Sequence, residues 1–170
     1  MDLPALYDDD LHAWALHQAA VLRRLKASRL PLPNDLDLEH VAEEIEDLGN
    51  EQRFQVEGNL EQALAHLIKA AVLAGDPAVP HWLVEVTAFL ATAARRWRPS
   101  MRRAMDTPKL WADACHRAAT ELDLRGHPVP PLPRDMPFAL EELVSGRAHP
   151  RDLSARMTAA LADVGRDQGA

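Results

Sequence analysis

Apolar positions recur at three- and four-residue steps along most of this chain, and the longest unbroken run spans Leu38 to Lys69, LEHVAEEIEDLGNEQRFQVEGNLEQALAHLIK. At about 100° per residue, Val41, Ile45, Leu48, Gln52, Val56, Leu60, Ala63, Leu67 and Ala70 share one face. Leu38, Ala42, Leu64 and Ile68 widen that face into the stripe of a packed helix. Asp35 or Asp37 can cap its start, Glu39, Glu43 and Glu44 suit its positive end, and Gly75-Asp76-Pro77 ends the pattern. Gly49 and Gly58 lie inside the run. An interior glycine costs about 1 kcal/mol against alanine, so Gly49 is where a kink would fall; one long helix is the preferred reading.

The same period predicts a first helix over 6–28, capped by Asp8, Asp9 or Asp10, with Leu11, Trp14, Ala15, Gln18, Leu22 and Leu25 inward. Pro31 and Pro33 break the chain before the long helix, and so short a connection makes the two antiparallel neighbours. A third helix begins near Pro80, with Trp82, Val86, Phe89, Leu90 and Ala93 as its apolar stripe, and Pro99 forces a kink or restart. Thr107 caps a fourth, running to about Leu122 on Trp111, Ala114, Cys115, Ala118 and Leu122. Residues 123–137 hold five prolines and read as an extended surface segment. Phe138 to Val144 and a stretch from His149-Pro150 to the polar tail GRDQGA add short helices. The expectation is one all-α domain over 1–170, a bundle of five to seven helices built on the antiparallel pair 6–28 and 37–74, covered by helices 80–106 and 107–122.

Composition supports helices, because alanine and leucine dominate while aromatics are only 5%. Cys115 is the only cysteine, which excludes an intrachain disulfide and fits a reducing, bacterial cytoplasm. No uncharged apolar stretch approaches the roughly 18 residues of a membrane span, and the acidic start MDLPALYDDD lacks the basic opening of a signal peptide. The net charge of −7 is uneven: residues 1–61 carry 14 acids against 5 bases, and residues 62–130 carry 9 bases against 6 acids. An acidic chain is a poor nucleic-acid binder, since phosphates demand a positive face.

Several motifs then line up in order: Tyr7-Asp8-Asp9-Asp10, Trp14, Gln18, Asp37-Leu38, Glu43-Glu44-Ile45-Glu46-Asp47-Leu48-Gly49, Arg53 and His66-Leu67-Ile68-Lys69. Over residues 6–70 the chain resembles the bacterial family catalogued as domain of unknown function 29. That family shows a D-F-x-x-W…Q helix followed by an E-E-I-E-D-[ML]-G helix ending in H-L-L-K. Here Leu11 stands for the usual Phe, Ala70 for a common Trp, Glu85 for a Thr after Trp82, and Thr107-Pro108-Lys109-Leu110 for an S-P-S-L segment. The resemblance implies an all-helical fold and brings no established activity.

The candidate chemistry is a carboxylate set, Glu43, Glu44 and Asp47, on neighbouring turns of the long helix. Like charges at that spacing repel, and a hard divalent ion such as Mg²⁺ or Mn²⁺ could offset this with carboxylates and water. Asp10, His17 and Gln18 on the first helix could complete such a site. Helical nucleotide pyrophosphatases of the MazG kind look similar here, but they need a later E-x-x-D that Glu57-Gly58-Asn59-Leu60-Glu61 does not provide. The plainer reading is acids facing water at a helix start or pairing with Arg23, Arg24 or Arg53. His66 lies 22 residues beyond Glu44, roughly 33 Å along an unbroken helix, so it reads as a partly buried, hydrogen-bonded histidine. No H-x-x-x-H pair, phosphate loop or G-x-S-x-G elbow occurs. The arginine run at 95, 96, 98, 102 and 103 around Trp97 reads as a solvated face or an intramolecular partner for the acidic first half; its functional readings are an anion or nucleic-acid patch with Trp97 for stacking, and a surface for an acidic protein.

Two function classes stay open. One is a non-enzymatic protein-interaction or oligomerisation module, with a second copy or another protein as partner and no cofactor. The other is a metal-dependent hydrolase of phosphorylated small molecules, with Glu43, Glu44 and Asp47 holding Mg²⁺ or Mn²⁺.

Overall fold

A computed structural model describes residues 3–28 and 31–167. Residues 168–170 of the expected polar tail lie outside the described residues. Seven α-helices and one 3₁₀ turn are present among the described residues, without strands: α1 Leu3–Asp9, α2 Leu11–Ala27, α3 Leu38–Val72, α4 Val79–Arg96, the 3₁₀ turn Pro99–Arg103, α5 Thr107–Leu124, α6 Leu140–Leu143 and α7 Pro150–Asp167. The expected all-α class is therefore what the structure shows, and α3 is continuous through Gly49 and Gly58.

Three boundaries differ from the sequence expectation, and the restart at Pro99 falls where it is expected. The first helix is two, because Asp10 leaves helical geometry and caps α2, its side chain accepting from the Ala13 N–H at 2.9 Å. After α4, Pro99 cannot continue an α-helix and restarts the chain as a 3₁₀ turn. Asp106 rather than Thr107 caps α5, accepting from the Lys109 N–H. α7 runs through Asp167, into the tail expected to be irregular.

The chain forms two compact units. The first takes the described residues up to Gln55 together with Arg96–Met105. Within it α2 and the first half of α3 run antiparallel: Lys26 pairs with Glu39 at 2.6 Å, Arg23 with Glu46 at 2.5 Å, and further along α2 both His12 and Ala15 lie against Gly49. The seam is made of small residues. Ala15 and Ala19 on α2 and Ala42 and Gly49 on α3 are buried, so the two backbones approach closely. Only glycine fits at 49, since a Cβ there would stand 2.8 Å from the Ala15 Cβ.

The inward face of α3 in this unit keeps only part of the expected stripe. Leu38, Ala42 and Gly49 are buried, whereas Val41 and Leu48 are exposed. On α2, Leu11, Trp14, Gln18, Leu22 and Leu25 are only half-buried, and the fully covered residues include His12. Tyr7 packs edge-on against Trp14 with ring centroids 4.8 Å apart, holding α1 to α2.

The second unit takes Val56–Arg95 and the described residues from Asp106 onward. Here α3 is buried all round from Ala63 to Ala71. Trp82, Val86, Leu90 and Ala93 of α4 and Trp111, Ala114, Ala118 and Leu122 of α5 are buried as the period predicts. α5 closes with Gly126 at φ +74, where the His127 N–H reaches the Leu122 carbonyl and the Gly126 N–H the Asp123 carbonyl. The proline-rich segment that follows has neither helix nor strand over 127–133. The Trp111 Nε1–H donates to the Pro133 carbonyl at 2.9 Å and ties it to α5. Arg156 of α7 stacks over Phe138 and pairs with Glu142.

Candidate functional site

The five residues singled out as metal ligands do not gather. Asp10 is committed to the α2 cap and also accepts from the Ser100 hydroxyl at 2.8 Å. Glu43, Glu44 and Asp47 are exposed, and at about 100° per residue they lie roughly 120–160° round α3 from Gly49, the residue that touches α2. His17 likewise sits about 160° round α2 from Ala15, on the side away from that seam. Among the described residues no group of three or more His, Cys, Asp or Glu side chains is placed to hold a metal ion.

The turn of α3 that hides Gly49 brings a different row to the outside. Val41, Glu44, Leu48 and Glu51 follow one another at steps of three, four and three, and all four are exposed. Val41 keeps 40% and Leu48 48% of its surface in water. This is a single ridge alternating apolar and acidic side chains, with Asp47 on its flank. The acids on the α2 side behave differently: Glu39 is held by Lys26 and Arg23, and Glu46 by Arg23. The Arg23 and Lys26 side chains are correspondingly raised above their ordinary values, through hydrogen bonds to Glu46 and Glu39. Sequence reasoning counted Val41 and Leu48 as core because it weighs large apolar residues; the signal it passed over was Gly49, seven residues on from Ala42 and on the same face.

Elsewhere in the first unit, His12 is 1% exposed and its Nδ1 lies 3.0 Å from Ser100 Oγ. Ser100 donates its one hydroxyl proton to Asp10, so its oxygen accepts from His12 Nδ1–H. The second ring nitrogen, Nε2, is buried without a partner. Burial lowers the His12 pKa below its ordinary 6.5; Asp10 opposes the shift and Arg53 adds to it. Arg98 donates from Nε to the Asp9 carbonyl at 2.6 Å, so one member of the arginine run closes α1 rather than awaiting a partner.

In the second unit, the H-L-I-K run supplies a buried polar layer. His66 Nδ1 meets the Gln62 carbonyl at 2.8 Å and Nε2 meets Glu85 at 2.9 Å, the satisfied histidine anticipated above. Lys69 is 2% exposed, pairs with Glu121 and lies 5.1 Å from the Trp82 ring centre, with Arg125 also over that ring. An open cleft beside it, lined by Glu61, Asp113, His116, Arg117, Thr120 and Glu121, has its acids paired with Arg117, Lys109 and Lys69. Cys115 is half-buried, and burial pushes its thiol up to about 11, far from a reactive thiolate.

The described residues define an all-helical protein. Residues 6–147 match the family described as domain of unknown function DUF29, and the chain belongs to that family. It is similar to a crystal structure of an alpha-helical protein of unknown function from Rhodospirillum rubrum, at 30% identity and a TM-score of 0.79, over 89% of this chain and 96% of that one. No curated protein matches it. Among the described residues no helix is long and apolar enough to cross a membrane.

Proposed function

We propose that this protein is an interaction module whose docking surface is the outward ridge of α3, Val41 to Glu51. One observation carries the proposal: two large apolar side chains, Val41 and Leu48, stand exposed on one row of a helix whose other face is packed on α2. Solvated apolar rows on a rigid helix are recognised by partner helices that lay a ridge beside them. Such docking asks for no metal and no cofactor, and a chain with a single cysteine suits a cytoplasmic setting.

Photo-crosslinking in producing cells tests it. A benzoylphenylalanine side chain at position 48 should give one discrete adduct, while the same group at exposed Val84 should not. The adduct mass separates a second copy from a different protein. Equal smears from both positions, or none from either, would remove the proposal.

A further inference from the structure

We infer that the occupant of this ridge is a cationic amphipathic helix of another protein, one that sets Lys or Arg against Glu44 and Glu51 and apolar side chains against Val41 and Leu48. This rests on the docking proposal above and adds the partner's chemistry. The ridge covers 11 residues, about 15 Å or nearly three turns, so its natural complement is a helix of similar length rather than a loop or a single anchor. Among the described residues Glu44 carries no ion pair, and the contact on Glu51 is the neutral amide of Gln55 at 2.9 Å. Burying either carboxylate against an apolar surface would strip its water without return. A cation from the partner restores what desolvation removes, and steers the encounter as well.

A second copy of this chain is a poor occupant for the same reason. A two-fold contact brings identical patches together. Glu44 and Glu51 of both chains would then share one seam, with Asp47 beside them. Of the cations nearest in the chain, Arg53 lies about 40° round α3 from Gly49, on the α2 side, and Arg23 and Lys26 are occupied by Glu39 and Glu46.

Two labelled three-heptad helical peptides decide the matter, followed by fluorescence anisotropy on the full chain. One alternates Leu and Lys along its ridge, and the other alternates Leu and Gln. The Lys peptide should bind, weaken with added salt, and lose about tenfold on the Glu44→Gln/Glu51→Gln variant, two exposed or half-exposed charge pairs being worth that much. The Gln peptide should bind the unaltered chain about as weakly. If instead the Gln peptide binds as tightly as the Lys peptide, and Val41→Ser/Leu48→Ser abolishes both, the ridge docks a neutral partner and the cationic inference alone is wrong. If neither peptide binds, or binding survives Val41→Ser/Leu48→Ser, the docking proposal itself has failed. Sedimentation equilibrium showing a dimer that Leu48→Ser dissolves would make a second copy the occupant and overturn the inference.

Discussion

Replacing Gly49 by alanine sets two terms of opposite sign against each other. An interior glycine costs about 1 kcal/mol in helix propensity, so alanine gains that amount wherever there is room. At Gly49 there is none: the added methyl would meet the Ala15 Cβ at 2.8 Å and the His12 carbonyl oxygen at 3.3 Å. Neither contact is the yielding tip of a flexible side chain, so α2 must move, and overpacking of this kind costs about 1–3 kcal/mol. Gly58 lies on the same helix with nothing within 4 Å of its Cβ, and supplies the reference for the propensity term. Subtracting the two variants cancels propensity and leaves the steric cost alone. Gly49→Ala should therefore be about 1–3 kcal/mol less stable than Gly58→Ala, and Gly58→Ala should be more stable than the unaltered chain by about 0.5–1 kcal/mol. Urea titrations with equal slopes give both differences directly. Equal stability of the two variants would show that α2 does not pack on Gly49, and the rotation of α3 that exposes Val41 would lose its basis.

Two further consequences concern the buried polar groups. His12 has its folded pKa lowered chiefly by burial, so the unfolded chain takes up a proton before the folded one does. Its contribution to stability is complete above the ordinary 6.5 and is lost as pH falls below that value. Urea midpoints between pH 8 and pH 5, on the order of the window around an ordinary histidine, should fall more steeply for the unaltered chain than for His12→Gln; parallel curves would refute the assignment. Lys69→Met should leave stability within about 1 kcal/mol, because an apolar replacement removes a desolvated charge and keeps the packing. Glu121→Ala should cost about 2–3 kcal/mol, below the full buried-pair penalty because Glu121 keeps some water contact. The double variant should recover most of that loss in the same titration.

How much of this was legible beforehand follows from what a period can and cannot encode. Long helices with broad apolar stripes were legible: α3, α4 and α5 lie where the three- and four-residue steps put them, and Trp82, Val86, Leu90, Trp111, Ala114 and Ala118 are buried. The face of a helix packed through glycine and alanine was not legible. Such a seam hides its smallest residues and leaves larger ones at its edge, so Val41 and Leu48 looked like core alongside Ala42, while Gly49, which looked like a possible kink, packed with Ala42. Asp10 was legible as a cap but not as a break, because the helix before it adds only seven residues. The carboxylate set was legible as a cluster, yet its direction depends on which face of α3 meets α2, and that depends on Gly49.

The orientation of the α3 ridge, and its coverage by a cationic helix, can be read in one labelling experiment. Single cysteines are placed at 41, 42, 48 and 84, and maleimide rates are taken with and without the Lys peptide. Native Cys115, raised to about 11, contributes little background near neutral pH. Positions 41, 48 and 84 should react quickly and position 42 slowly, and the peptide should slow 41 and 48 while leaving 84 unchanged. A position 42 as reactive as 48, or rates at 41 and 48 indifferent to the peptide, would contradict the account.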